Sequence, residues 1–109
     1  MTVKPVVPRE QAVRDIDAAI AFYLEEDGAL AALGFIDAVE QAFNHIGRQA
    51  ASGSPRYAHE LNLPGLRSWP LSAYPCLVFY VVQESHVDVW RVPHGRRDIP
   101  KWMLETDET

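Results

Sequence analysis

Only one cysteine, Cys76, occurs among the 109 residues, so no internal disulfide can form and no set of thiolates exists to hold a metal. It sits in an apolar run and reads as a small core residue. Long apolar stretches are absent too: the longest, Cys76 to Val82, is far short of the roughly 20 residues that cross a bilayer. Met1 is followed by Thr2-Val3-Lys4-Pro5 rather than an apolar signal core, so a cytoplasmic protein without membrane attachment is expected. Positive charge is in deficit. Ten basic against fifteen acidic side chains leave a formal net charge of −5, which argues against direct nucleic-acid binding driven by many lysine and arginine contacts to phosphate. There is no glycine-rich phosphate loop, nucleophile elbow or pair of catalytic carboxylates, and His45, His59 and His86 lack metal-ligand spacing. No cofactor is expected.

What remains is a chain with 48% hydrophobic residues, in the range of one domain built on one core, and residues 1–109 are read as that domain. Thr2 to Val7 carries β-branched residues and prolines, which suits a short edge strand. Pro8 then fits the first turn of a helix. Val13, Ile16, Ile20 and Tyr23 recur at steps of three and four, with Arg14, Asp15, Asp17 and Glu25 on the opposite face, until Gly28 stops the pattern. The same spacing resumes through Leu30, Leu33, Ile36, Val39, Phe43 and Ile46. So short a connection folds the two helices into an antiparallel hairpin. The cluster Glu25-Glu26-Asp27 reads as a solvated helix end.

Ala50-Ala51-Ser52-Gly53-Ser54-Pro55 ends the helical pattern and opens a loop. Three strand patterns follow, Leu66 to Leu71, Cys76 to Val82 and Val87 to Val92, which implies an antiparallel meander. The middle run is apolar on both faces, as a central strand should be. Trp69 and Trp90 fall within strands and are expected to pack under the helices. Layer logic gives a two-layer α+β domain, with the first strand at an edge or beside the last.

The last strand breaks into Val92-Pro93-His94-Gly95-Arg96-Arg97-Asp98-Ile99-Pro100-Lys101-Trp102, four charged or titratable residues within five positions at a sheet terminus. Arg97-Asp98 fits a local ion pair that fixes the tail, leaving Arg96 to face outward. Trp102 can dock on the sheet or anchor a partner.

That element order, together with Pro64-Gly65-Leu66-Arg67, Leu77-Val78-Phe79-Tyr80 and the terminal His94-to-Trp102 segment, resembles the RelE/ParE superfamily of bacterial toxin–antitoxin toxins, specifically its ParE branch. The resemblance covers nearly the whole chain. It implies a two-layer RelE/ParE-like fold, a type II toxin that inhibits DNA gyrase and blocks replication, and a cognate antitoxin that wraps the toxin in a hetero-oligomer. For the target-binding edge it implies the tail, and Arg96, Arg97, Ile99, Trp102 and Met103 are the candidates. The alternative is the RelE branch, a ribosome-dependent mRNA endoribonuclease. That chemistry needs proton-transfer groups and cations at the phosphate, and here it would fall to Arg67, His94 and Arg96. The middle-strand position where such ribonucleases tend to carry arginine is about Cys76, which can do neither job. The ParE reading, with no catalysis of its own, therefore comes first. A third reading is a chain that has lost toxicity and persists as an autoregulatory partner of its antitoxin. A small domain with an apolar-faced hairpin and an edge strand offers an antitoxin both strand addition and helix docking.

Overall fold

The structure, a computed structural model, describes residues 3–94. Arg96, Arg97, Asp98, Ile99, Trp102 and Met103 lie outside the described residues. The elements run β1 (Val6–Pro8), α1 (Glu10–Asp27), α2 (Ala29–Arg48), a single 3-10 turn at Ala50–Ser52, α3 (Arg56–Leu61), β2 (Leu66–Pro70), β3 (Leu77–Val82) and β4 (Val87–Arg91). They form one sheet in the order β1-β4-β3-β2. The three later strands are the expected antiparallel meander, and β1 lies parallel to β4, beside the last strand.

Pro8 closes β1 instead of opening α1. The next N–H, that of Arg9, donates to the Val89 carbonyl at 2.9 Å, so the chain stays bound to β4 for one residue longer and the helix begins at Glu10. Only Gly28 separates α1 from α2. Its φ of +95° lies where side-chain-bearing residues are rarely found, which is why a single residue can reverse the chain there.

The helical hairpin covers one face of the sheet and encloses Phe35, Ile46, Val78, Tyr80, Val87, Val89 and Val92, none of them more than marginally exposed. A second, smaller cluster of Leu61, Leu66 and Phe79 fills the other face under α3. This accounts for a middle strand that is apolar on both sides. It also corrects two expectations. The stretch after Pro55 is not loop throughout, because the one-and-a-half turns of α3 are needed to cover Phe79; a helix of six residues is too short for periodicity to reveal. Trp90 does not pack under the hairpin: it belongs to the second face, with the Arg9 guanidinium 4.6 Å above its ring. Trp69 does lie on the hairpin side, stacked on His45 at 4.0 Å.

Two polar contacts tie the layers. Tyr80, fully buried, donates its hydroxyl to the Ala50 carbonyl at 2.7 Å and accepts the Gly53 N–H at 3.0 Å. Arg67 donates from Nη1 to the carbonyls of Ala51 and Gly53. Together they pin the crossing from α2 to α3, satisfying backbone groups that a loop under cover would otherwise leave without partners.

The second contact is at the other end of the sheet. Asp15 was expected on the solvent side of α1, but its carboxylate forms a forked ion pair with Arg91, at 2.7 and 2.8 Å, and also accepts the Val92 N–H at 2.9 Å. The two side chains retain 11% and 8% exposure, so the pair is effectively inside. Arg91 follows Val87 and Val89 in the alternation of β4, opposite to Trp90. The register shifts there, Tyr80 pairing with Val89 but Phe79 with Arg91, and Val92, the next residue, also joins the hairpin-side core.

Removing one member of a buried pair strands the other charge. Asp15→Ala should lower the unfolding free energy by about 3–5 kcal/mol in urea titration. Replacing both partners with Leu and Met should cost far less. A single-variant loss below about 1 kcal/mol would instead mark the weak coupling of a surface pair.

Candidate functional site

The residues around the end of β4, up to His94, form the described part of the candidate site. Cys76 and His94 face each other across an isolated antiparallel bridge. His94 Nε2 lies 2.8 Å from the Tyr23 hydroxyl, and its ring rests 5.0 Å from Phe22 and 5.1 Å from Tyr23. Tyr23 in turn meets Phe35 and Tyr74. The Tyr74 hydroxyl donates to the Ala31 carbonyl at 3.0 Å, which ties the β2–β3 turn to α2. Beside His94 a shallow cleft of about 150 Å³ opens between Asp15, Phe22 and Val92.

Electrostatically this end is quiet. Burial pushes the Tyr23 phenol above its ordinary pKa, with smaller upward contributions from Cys76, Tyr74 and Asp27. Burial alone pushes the Cys76 thiol up to about 12. Both groups therefore stay protonated near neutrality, and Cys76 offers neither a nucleophile nor a charge. His94 and Tyr23 make a hydrogen-bonded pair able to pass a proton. The nearby cation, Arg91, is held in the fork of Asp15.

The ribonuclease candidates are not assembled around that pair. Arg67 stands opposite Tyr80 on the β2–β3 ladder, four residues along β3 from Cys76, or about 13 Å at strand spacing. Its guanidinium is turned onto the Ala51 and Gly53 carbonyls. Among the described residues no group of three or more histidine, cysteine, aspartate or glutamate side chains could hold a metal ion.

A family model described as the ParE toxin of the type II toxin–antitoxin system parDE matches residues 6–99. The chain belongs to the ParE toxin family. It is thus a toxin of a type II toxin–antitoxin system, and inhibition of DNA gyrase is the family's known role. Among solved structures, this ParE toxin is similar to a chain of the chromosomal ParDE TA system from P. aeruginosa, with a TM-score of 0.73 at 19% identity. The match covers 86% of this chain and 98% of that one, and it confirms the two-layer fold. No curated protein matches the sequence. Among the described residues, no helix of this ParE toxin is long and apolar enough to cross a membrane.

Partner surfaces on the toxin are restricted at the sheet edges. On the outer edge of β2, Ser54 and Ser68 exchange both backbone hydrogen bonds at 2.9 Å, and Pro70 has no N–H to give. On the outer edge of β1, Pro8 lacks a donor and the Lys4 N–H is already bound to the Gly47 carbonyl at 2.9 Å, while Pro5 turns toward β4, where its carbonyl accepts the Val87 N–H at 2.9 Å. Strand addition, one of the two modes expected for an antitoxin, therefore has little free edge to use. Between β1 and α2 runs an open groove of about 610 Å³, floored by Val6, Phe43 and Gly47.

Sequence reasoning found His94 and Cys76 but missed Asp15, Tyr23 and Tyr80 as polar partners. Asp15 and Arg91 are 76 positions apart, and nothing local announces such a pair.

The elevated thiol gives a direct check. A group whose folded pKa lies above its unfolded value contributes stability below the ordinary value of 9.0, and that contribution is lost as pH climbs toward 12. At pH 8 Cys76 should react with an aromatic disulfide reagent only after urea is added, and urea midpoints should fall on going from pH 9 to 11. Rapid labelling of the folded protein would show the thiol to be exposed.

Proposed function

We propose that this ParE toxin blocks replication by binding DNA gyrase through the edge that follows β4, without catalysis of its own, and that its cognate antitoxin suppresses it within a cytoplasmic hetero-oligomer. The observation that carries the reading is membership of the ParE family over residues 6–99, a span that includes the His94-Gly95-Arg96-Arg97-Asp98-Ile99 segment. Arg96, Arg97, Ile99, Trp102 and Met103 are the proposed contact residues. Arginine and tryptophan are common anchors at the centre of protein interfaces, where an aromatic face and a forked cation give large contact area and directional hydrogen bonds. An acidic protein suits a protein target better than a polyanionic one. Supporting the absence of a chemical step, Arg67 is turned onto backbone carbonyls, while His94 lies at the far end of the ladder, against Tyr23.

Within this reading the body of the domain is a holder. Asp15 fixes Val92 through its N–H and Arg91 through its guanidinium, so the end of β4 is anchored on α1. The whole chain acts as one toxin domain.

Induction of the chain in cells, followed by parallel measurement of plasmid supercoiling, DNA-damage response and transcript integrity, tests the proposal. Loss of supercoiling with intact transcripts is expected, relieved by co-expression of the neighbouring short reading frame. Arg96→Ala combined with Trp102→Ala should abolish growth arrest while leaving the urea midpoint unchanged. Cleaved messages with normal supercoiling would overturn the gyrase reading in favour of the RelE-like one.

A further inference from the structure

From Phe22 to Glu40 the chain carries five carboxylates, Glu25, Glu26, Asp27, Asp37 and Glu40, and no lysine or arginine. Among the described residues none of the five is in a salt bridge. Within the same stretch stand Leu24, Leu30 and Leu33, exposed by 54%, 85% and 61%. Scattered surface leucines are ordinary. Three of them flanking one turn, on a stretch without a cation, make an apolar tip rimmed by a single sign of charge. On α2 the stripe is explicit: Leu30 and Leu33 are three residues apart and Asp37 follows four later, where it accepts a hydrogen bond from Gln41 at 2.9 Å and stays exposed.

We propose that the hairpin tip is the docking surface for an amphipathic partner helix with a basic border, whose apolar side chains cover Leu24, Leu30 and Leu33 while lysines or arginines face the five carboxylates. Charge complementarity selects this occupant. A second copy of the chain would set the same carboxylates against each other, and an anionic lipid surface would be repelled in the same way. The helical form follows from the sheet. Ser54 on Ser68, Pro70, the Lys4 N–H on Gly47, and Pro8 leave little edge for an added strand, so an approaching segment must satisfy its own backbone, which a helix does internally while presenting anchors at steps of three and four. The assignment of this helix to the antitoxin rests on the toxin–antitoxin reading; the surface itself does not.

Two measurements separate those claims. The first titrates the isotope-labelled full chain with a synthetic amphipathic peptide of about five helical turns, bearing a leucine stripe and lysine borders, and with a twin carrying glutamate borders. Shift changes confined to residues 22–40 are expected with the lysine peptide. Leu30→Gln with Leu33→Gln should weaken its Kd at least about tenfold, and Glu26→Lys with Asp37→Lys should reverse the preference between the peptides. These positions are exposed, and matching urea midpoints would confirm that the variants fold. Shifts elsewhere, no binding, or equal binding of the two peptides would overturn the proposal. The second measures hydrogen exchange in the complex with the product of the neighbouring reading frame. Protection of residues 22–40 supports the assignment. A complex that leaves them unprotected overturns the tip as the antitoxin site but keeps the toxin–antitoxin reading, whereas no complex at all removes that reading while the peptide titration still decides the surface.

Discussion

The junction between the first helix and the last strand depends on one carboxylate. Asp15 is a charged residue on a helix, and leaving it without a partner at its depth would cost several kcal/mol. Arg91 and the Val92 N–H remove that cost together. The consequence is directional, since a forked guanidinium–carboxylate contact fixes orientation as well as distance. The end of the last strand is therefore held against the first helix, with Arg91 turned toward α1 and Trp90, its neighbour, on the opposite face by strand alternation.

The aromatic cluster behind it plays a different part. Tyr23, Phe35, Tyr74 and His94 meet edge to face or tilted at roughly van der Waals contact, a geometry that favours a defined mutual orientation over free sliding. His94 is thus supported from the side by Phe22 and from below by Tyr23. A histidine so placed is itself fixed against α1. The Tyr80 hub does comparable work at the other end, where one phenol and one guanidinium satisfy three backbone carbonyls and an N–H of the α2–α3 crossing.

Much of this architecture was legible in the residues. The hairpin could be read because Gly28 interrupts two long periodic runs, and the meander because three β-branched runs are separated by short breaks. The place of β1 beside β4 was one of two options that layer logic left open. Helix α3 was not legible, because six residues carry no periodic signal, and Pro8 misled because proline suits both a strand end and a helix start. Trp90 and Asp15 were missed for different reasons. Trp90 was assigned to the hairpin side for its size, although alternation from Val87 and Val89 puts it on the other face; for Asp15, periodicity counts faces and a partner 76 residues away does not enter the count. The strand-end cluster stood out by the abruptness of its charge; of its members only His94 falls among the described residues.

The prolines and the serine exchange at the two sheet borders also bear on what happens when a covering partner is stripped away. A bare, flat strand edge invites sister molecules to extend the sheet without limit. Here Ser54 already occupies one border and the other is interrupted at Pro8 and by the Lys4–Gly47 hydrogen bond, so among the described residues neither border offers a long bare template for a sister strand.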